Sequence, residues 1–210
     1  MKVEIWSDIM CPFCYIGKRK FEKALEQFEH KGEVEITWKS FQLNPGMETD
    51  PGKNINQYLA EIKGWSLEQA KEMNARVTQM AEAVGLKYDF DKAVVANSFD
   101  AHRLIQLAKT KGKGDEAEER LFKAYFTEGS NIADKETLIA IAESIGLDKA
   151  EVREMLDSGK FAGNVQEDIN ESQQIGVRGV PFFVFNRKYA VSGAQESDAF
   201  LEVLRKASEA

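Results

Sequence analysis

The segment Ser7–Gly17, SDIMCPFCYIG, contains the only two cysteines of the chain, Cys11 and Cys14. The residues before it, 2–7, alternate between polar and apolar side chains, and this alternation predicts a β-strand. From Cys14 onward, small and apolar residues recur at helical spacing as far as Phe28, which predicts a long helix with one buried face. The two cysteines are therefore predicted to lie where a strand ends and a helix begins.

The start of this helix determines what each cysteine can do. Pro12 suits the first helical position, where its missing N–H breaks no hydrogen bond, and this leaves Cys11 as the N-cap residue. Free N–H groups and the positive end of the helix dipole favour a thiolate at that position. Cysteines so placed have pKa values lowered from about 8.5 to roughly 3.5–7.5. We therefore expect Cys11 to be the nucleophile.

Cys14 is expected to be the second sulfur of a redox pair. It begins the buried face of the helix, so it should be less accessible than Cys11. One helical turn separates the two residues and brings their Cα atoms within the roughly 4.4–6.8 Å that a disulfide requires. Cys14 would then resolve a mixed disulfide formed on Cys11.

The remainder of the chain changes its pattern twice. Residues 33–43 predict a second strand, and a β-α-β opening implies parallel pairing of the two strands. Helical patterns fill residues 54–175. N-cap signals mark several helix starts in this region, at Ser66, Asp134 and Asp148. The end of the chain predicts a β-hairpin within residues 180–192 and a closing helix over 196–207. The expected fold class is α/β.

Composition excludes several classes of function. The chain has 210 residues with 28 basic and 35 acidic side chains, a net charge of −7, and no dense basic block that would bind nucleic acid. No run of apolar residues approaches the roughly 20 needed to cross a membrane, and the start of the chain does not resemble a signal peptide. We therefore expect a cytoplasmic protein without nucleic-acid or membrane partners.

Two other roles for the cysteine pair are a structural zinc site and inert core thiols. A structural zinc usually needs four ligands, and the only other soft donors, His30 and His102, do not have the spacing of a zinc finger. A Cys-Pro-x-Cys sequence at a strand-to-helix junction is also an improbable arrangement for inert thiols. Redox or nucleophilic chemistry is the favoured interpretation, with no metal and no organic cofactor.

Four segments together resemble the DsbA family of thioredoxin-fold disulfide oxidoreductases, and most closely its cytoplasmic FrnE-like branch. They are residues 7–17, residues 96–104 (ANSFDAHRL), residues 176–183 (GVRGVPFF) and residues 191–194 (VSGA). The resemblance implies a thioredoxin-like domain whose first half is 1–50 and whose second half is 176–210. An all-helical insertion domain, 51–175, would separate the halves.

The resemblance also implies the site residues. Cys11 and Cys14 would be catalytic. Val180 and Pro181 would be joined by a cis peptide bond beside the sulfurs, with the backbone of Val180 pairing with an extended substrate. Pro12 and Phe13, next to Cys11, would also contact substrate, and Phe13 with Met10 could form an apolar rim. His102 would contact substrate from the insertion, although a lone histidine is more often structural.

The chain departs from the family pattern at two positions. Relatives often carry a buried acid six residues before the first cysteine, where this chain has Ile5. Strongly oxidising members have a histidine between the cysteines, where this chain has Phe13. Because a phenyl ring offers no comparable stabilisation of a thiolate, the reduced form should be less favoured than in those oxidants.

These features predict a thiol-disulfide oxidoreductase, acting as a reductase or isomerase. Its partners would be a disulfide-containing protein or peptide, or a small thiol, with glutathione as a candidate reductant. One alternative is a glutathione-dependent isomerase or kappa-type transferase, although those proteins usually have a serine in place of the first cysteine. The other is a non-catalytic chaperone or binding module.

Overall fold

The alternating segment that opens the chain is a strand in the computed structural model, which describes residues 1–209. The strands are β1 (Lys2–Ser7), β2 (Glu35–Ser40), β3 (Asp50–Asn54), β4 (Val94–Val95), β5 (Phe182–Phe185) and β6 (Tyr189–Ser192). The α-helices are α1 (Pro12–Gln27), α2 (Ile55–Lys63), α3 (Leu67–Glu82), α4 (Phe99–Thr110), α5 (Gly114–Phe126), α6 (Lys135–Ser144), α7 (Lys149–Asp157), α8 (Ala162–Gln174) and α9 (Ser197–Ser208). The α/β fold class is confirmed.

The chain divides into two compact units. One unit consists of Met1–Leu43 and the chain from Gly163 onward, and the other is Asn44–Ala162. The predicted insertion, 51–175, includes all of α8, whereas the structure groups α8 from Gly163 onward with the unit that contains the cysteines. The first unit therefore combines both ends of the chain with one additional helix.

A four-stranded sheet organises the first unit. Its strand order is β2-β1-β5-β6, with β1 parallel to β2 and antiparallel to β5. The β5–β6 pair is the hairpin that the sequence predicts, and α9 is the closing helix. The parallel pairing across α1 is confirmed as well. Consequently β1, which leads directly to the two cysteines, lies in the middle of the sheet.

One face of this sheet is covered by aromatic packing with α1 and α9. Phe21 of α1 lies 5.4 Å from Phe183 and 5.7 Å from Phe200 between ring centroids, and Phe183 lies 4.6 Å from Phe200. These three rings are essentially inaccessible to solvent. Buried aromatic side chains each remove a large apolar area from water, so this cluster fixes α1 against the sheet.

The opposite face carries charged side chains that attach α8. Asp168 of α8 accepts a hydrogen bond from the backbone N–H of Ser40 at 3.0 Å. It also forms an ion pair with Lys39 at 2.9 Å. Lys39 also pairs with Glu171 at 3.0 Å, and the indole N–H of Trp6 donates to the carbonyl of Asp168 at 2.9 Å. Because α8 packs through polar contacts, its sequence gives no strong apolar signal of where it belongs.

The second unit contains α2 to α7 and a short antiparallel pair, β3 with β4. The prediction of an entirely helical insertion is wrong at this pair. The sequence of β3, Asp50–Asn54, is polar and contains a proline and a glycine, so it lacks the alternation of a half-buried strand. The N-caps predicted at Ser66, Asp134 and Asp148 are confirmed, since each side chain accepts a backbone N–H of its first turn.

Gly17 allows the loop before β5 to approach α1. A Cβ atom at position 17 would lie 2.9 Å from Cγ of Pro181 and 3.5 Å from Cα of Ala194. Carbon atoms at ordinary van der Waals contact are about 3.5–4.0 Å apart, so a side chain at this position would force the neighbours to move. The glycine therefore sets how closely Pro181 can lie to the cysteine-bearing helix.

Gly17→Ala should lower the thermal midpoint of the protein by several degrees. Replacing a glycine inside a helix normally gains roughly 0.5–1 kcal/mol, but forced overpacking costs about 1–3 kcal/mol. Gly163→Ala is the matched control, because Gly163 also lies in a helix and its added Cβ would meet nothing within 4 Å. Thermal unfolding of the two variants measures the difference. A Gly17→Ala protein as stable as Gly163→Ala would contradict the proposed steric role.

Candidate active site

The cysteines occupy the first turn of α1, as the sequence predicts. Cys11 is the N-cap residue with extended backbone angles, and Pro12 begins the helix. The backbone N–H of Cys11 donates to the carbonyl of Asp8 at 2.9 Å, and that of Cys14 donates to the carbonyl of Cys11 at 3.0 Å. Cys11 therefore lies at the N-terminus of α1, the end that carries the positive pole of the helix dipole.

The two sulfurs differ in accessibility. Cys14 is 0% exposed and Cys11 is 4% exposed, and both are free thiols. Cys14 is thus the less accessible of the two sulfurs, as the sequence predicts, although Cys11 is more enclosed than the sequence suggests. A reagent or substrate would reach Cys11 before it reached Cys14.

Electrostatics also separate the two sulfurs. Burial raises the pKa of the Cys14 thiol well above its ordinary value, and the hydrogen bond and the charge of neighbouring Cys11 raise it further. The backbone N–H of Asp8 and the hydroxyl of Ser7 oppose this rise, because both donate hydrogen bonds to the Cys14 sulfur. Cys14 consequently retains its proton at neutral pH.

The loop before β5 lies beside Cys11. The Val180–Pro181 peptide bond is cis, and the thiol of Cys11 donates to the carbonyl of Val180 at 3.5 Å. Pro181 is buried and its carbonyl accepts the N–H of Gly193 at 2.8 Å, which ties the loop to the end of β6. The structure thus brings Cys11, Val180 and Pro181 together from opposite ends of the chain.

Two residues of the site were not singled out from the sequence. Ser7 is the last residue of β1 and Asp8 follows it, and each is 1% exposed. The carboxylate of Asp8 accepts the N–H of Leu43 at 2.8 Å and that of Met10 at 3.3 Å. The available signal was the alternation along β1, which places Ser7 on the same face as Val3 and Ile5.

The other residues predicted to contact substrate differ in their exposure and in the unit to which they belong. Phe13, between the cysteines, is 38% exposed, and Met10 and Pro12 are partly exposed. His102 lies on α4 in the second unit and is 1% exposed. A role of His102 in substrate binding stays a prediction. In the first unit, the exposed side chain of Phe13 is thus available close to Cys11.

Residues 1–209, the part of the chain that the structure describes, contain neither a metal-binding cluster nor a membrane-spanning helix. In that part of the chain, no cluster of three or more histidine, cysteine, aspartate or glutamate side chains has the arrangement of a metal site. Within the same range, every helix is too short or too polar to cross a bilayer.

The chain is similar to bacterial proteins over nearly its whole length. The crystal structure of a probable DsbA oxidoreductase from Streptomyces coelicolor shares 39% sequence identity and superimposes with a TM-score of 0.94, covering 100% of this chain and 90% of that one. The uncharacterised protein YwbO of Bacillus subtilis is 29% identical over 207 residues, 94% of this chain and 92% of its own.

A more distant structure shows the same fold. The cytosolic disulfide reductase DsbM from Pseudomonas aeruginosa superimposes with a TM-score of 0.70 at 16% identity, covering 100% of this chain and 99% of that one. It has also been solved with GSH. The model of the DSBA-like thioredoxin domain matches residues 2–205. The expected thioredoxin fold with a helical insertion is confirmed, and the chain belongs to the family of DSBA-like thioredoxin domains.

Proposed function

We propose that this protein is a thiol-disulfide oxidoreductase that reduces or rearranges disulfides through Cys11 and Cys14. The observation that carries the proposal is the pairing of two unlike thiols in one helical turn. Cys11 lies at the N-cap with its sulfur 3.5 Å from the Val180 carbonyl, while the wholly buried Cys14 retains its proton. Cys11 is thus placed to attack a substrate disulfide, and Cys14 is placed to displace the substrate afterwards.

In the first half of the reaction, the Cys11 thiolate attacks one sulfur of a substrate disulfide. A bond forms between Cys11 and that sulfur, the substrate S–S bond breaks, and the other substrate sulfur leaves as a thiolate that takes up a proton. Loss of the Cys11 proton also removes its hydrogen bond to Val180. The carbonyl of Val180 is then available to accept a backbone N–H from an extended substrate.

In the second half, Cys14 displaces the substrate from Cys11. The Cys14 sulfur loses its proton and bonds to Cys11, and the substrate departs as a thiol. The protein is left with a Cys11–Cys14 disulfide, which a small dithiol or two equivalents of a monothiol such as glutathione would reduce. The GSH complex of DsbM, which has the same fold, supports glutathione as a candidate reductant.

Phe13 favours the reducing direction. It contributes no charge or hydrogen bond to a thiolate, so the reduced state lacks a source of stabilisation that strong oxidants use. We expect a potential well below the about −120 mV of DsbA, towards the about −270 mV of thioredoxin. Redox equilibration with glutathione measures it, and a value as high as that of DsbA would contradict this role of Phe13.

The expected substrate is a protein or peptide disulfide in the cytoplasm. Phe13 and Met10 offer an apolar surface at the active sulfur, and Val180 offers a backbone acceptor. The cytosolic location of DsbM supports the proposed compartment. The presence of both cysteines favours dithiol chemistry over the glutathione-dependent isomerase alternative.

Cys11→Ser should abolish reduction of insulin by the protein, because the attacking sulfur is lost. Cys14→Ser should still attack but accumulate a mixed disulfide that mass spectrometry detects. Turbidity of the released insulin chains measures turnover, and the parent protein is the control. Retained turnover in Cys11→Ser, or failure of Cys14→Ser to trap substrate, would contradict the assigned roles.

Alkylation should distinguish the two sulfurs by pH. In the reduced protein at neutral pH, iodoacetamide should modify Cys11 much faster than Cys14, because the raised pKa of Cys14 keeps it as an unreactive thiol. Labelling of Cys14 should increase as the pH rises. Peptide mass spectrometry measures the rate of modification at each cysteine. Equal rates for Cys11 and Cys14 at neutral pH would argue against the predicted difference in reactivity.

A further inference from the structure

Ser7 is a buried polar residue on the face of β1 that meets α1. Side chains alternate along a strand, so Ser7 shares this face with Val3 and Ile5. Trp6 lies on the opposite face, where it donates to Asp168 of α8. Ile5 supplies no polar group, and Ser7 is therefore the side chain of β1 that can offer a hydrogen bond at the base of the cysteine pair.

Two donors from the end of β1 meet at the Cys14 sulfur. They are the hydroxyl of Ser7 and the backbone N–H of Asp8. Because Cys14 is 0% exposed, bulk water does not solvate this sulfur in the folded protein. An unsolvated anion is costly, and donors already aimed at the position where charge develops reduce that cost without rearrangement.

We propose that Ser7 is a catalytic residue of the resolving step, in which its hydroxyl donates a hydrogen bond to the Cys14 sulfur as that sulfur becomes anionic. The inference rests on the proposed function, since it requires a mixed disulfide at Cys11. It adds a third side chain to the two cysteines. The Asp8 N–H is the second donor, and it belongs to the backbone.

The step is balanced without any group beyond the protein and its substrate. The Cys14 S–H bond breaks, the Cys14 sulfur bonds to Cys11, and the bond from Cys11 to the substrate sulfur breaks. The departing substrate thiolate takes up one proton, which replaces the proton lost by Cys14. Ser7 keeps its own proton throughout and acts as a hydrogen-bond donor, not as a base.

A buried serine elsewhere in the same unit provides a comparison, because its hydroxyl has only a local structural partner. Ser172 of α8 is also inaccessible, but its hydroxyl donates to the carbonyl of Ile169 in the same helix. That bond is local to α8 and involves neither sulfur. The hydroxyl of Ser7 instead donates to an atom that changes charge during the proposed reaction.

Stopped-flow reaction of the reduced protein with DTNB, an aromatic disulfide that releases a coloured thiolate, separates the two halves of the chemistry. The first thiolate leaves when Cys11 attacks, and the second leaves when Cys14 displaces the mixed disulfide. In Ser7→Ala the first release should stay within about twofold of wild type, because Cys11 is unchanged. The second should slow by about tenfold, the size expected for loss of one hydrogen bond to a charged sulfur.

The pH profile provides a readout that a purely structural role would not change. Since the Ser7 hydrogen bond lowers the pKa of Cys14, its removal should move the rise of the second phase to higher pH. A tenfold loss corresponds to a displacement of about one pH unit. Ser172→Ala is the matched control for deletion of a buried hydroxyl, and its second phase should follow the wild-type profile.

Ser7→Thr retains the hydroxyl and should release the second thiolate within about threefold of wild type. Equal second-phase rates in Ser7→Ala and Ser172→Ala would overturn the inference, as would a Ser7→Thr rate as low as that of Ser7→Ala. Failure of the proposed function would have a different signature. Wild-type protein would then release no more than one thiolate per chain.

Discussion

The turn between β1 and α1 is held by Asp8, and the position of both sulfurs depends on it. The carbonyl of Asp8 accepts the N–H of Cys11, while its carboxylate accepts the N–H groups of Met10 and Leu43. One residue thereby joins the end of a strand, the start of a helix and the segment after β2. Because Asp8 is itself 1% exposed and makes all three bonds, the turn has little freedom to alter the separation between the helix N-terminus and the sheet.

The sheet combines two kinds of packing that serve different purposes. Aromatic side chains fix α1 and α9 on the face that carries the cysteines, so the cysteine-bearing helix is supported by an apolar layer. Charged and polar contacts hold α8 on the other face. A buried ion pair contributes less net stability than its close contact suggests, since desolvation offsets much of the attraction. The packing of α1 against the sheet therefore depends chiefly on the aromatic face.

Much of the thioredoxin-like half could be predicted from local signals. The N-cap role of Cys11 follows from Pro12, and the hairpin before α9 follows from alternation and turn residues. Apolar periodicity could not assign α8, because its inward side chains include Asp168 and Ser172. The β3–β4 pair could not be predicted for a similar reason, since its backbone hydrogen bonds join segments with little apolar alternation.

The hydrogen-bond donors at the Cys14 sulfur could not be predicted from the sequence for a different reason. Ser7 could be placed on the correct face of β1 from the period of the strand, yet its partner depends on how α1 packs against that face. Likewise, the approach of Val180 to Cys11 joins positions from opposite ends of the sequence. Such contacts arise from the tertiary fold, so neighbouring residues along the chain carry no direct signal for them.

The order of the strands has a consequence during synthesis. β1 lies between β2 and β5, but β5 leaves the ribosome only after the whole second unit has been made. Until then one edge of β1 has no partner, and α1 lacks the rings of Phe183 and Phe200. The nascent chain must therefore carry its two thiols without their final cover while the second unit is being translated.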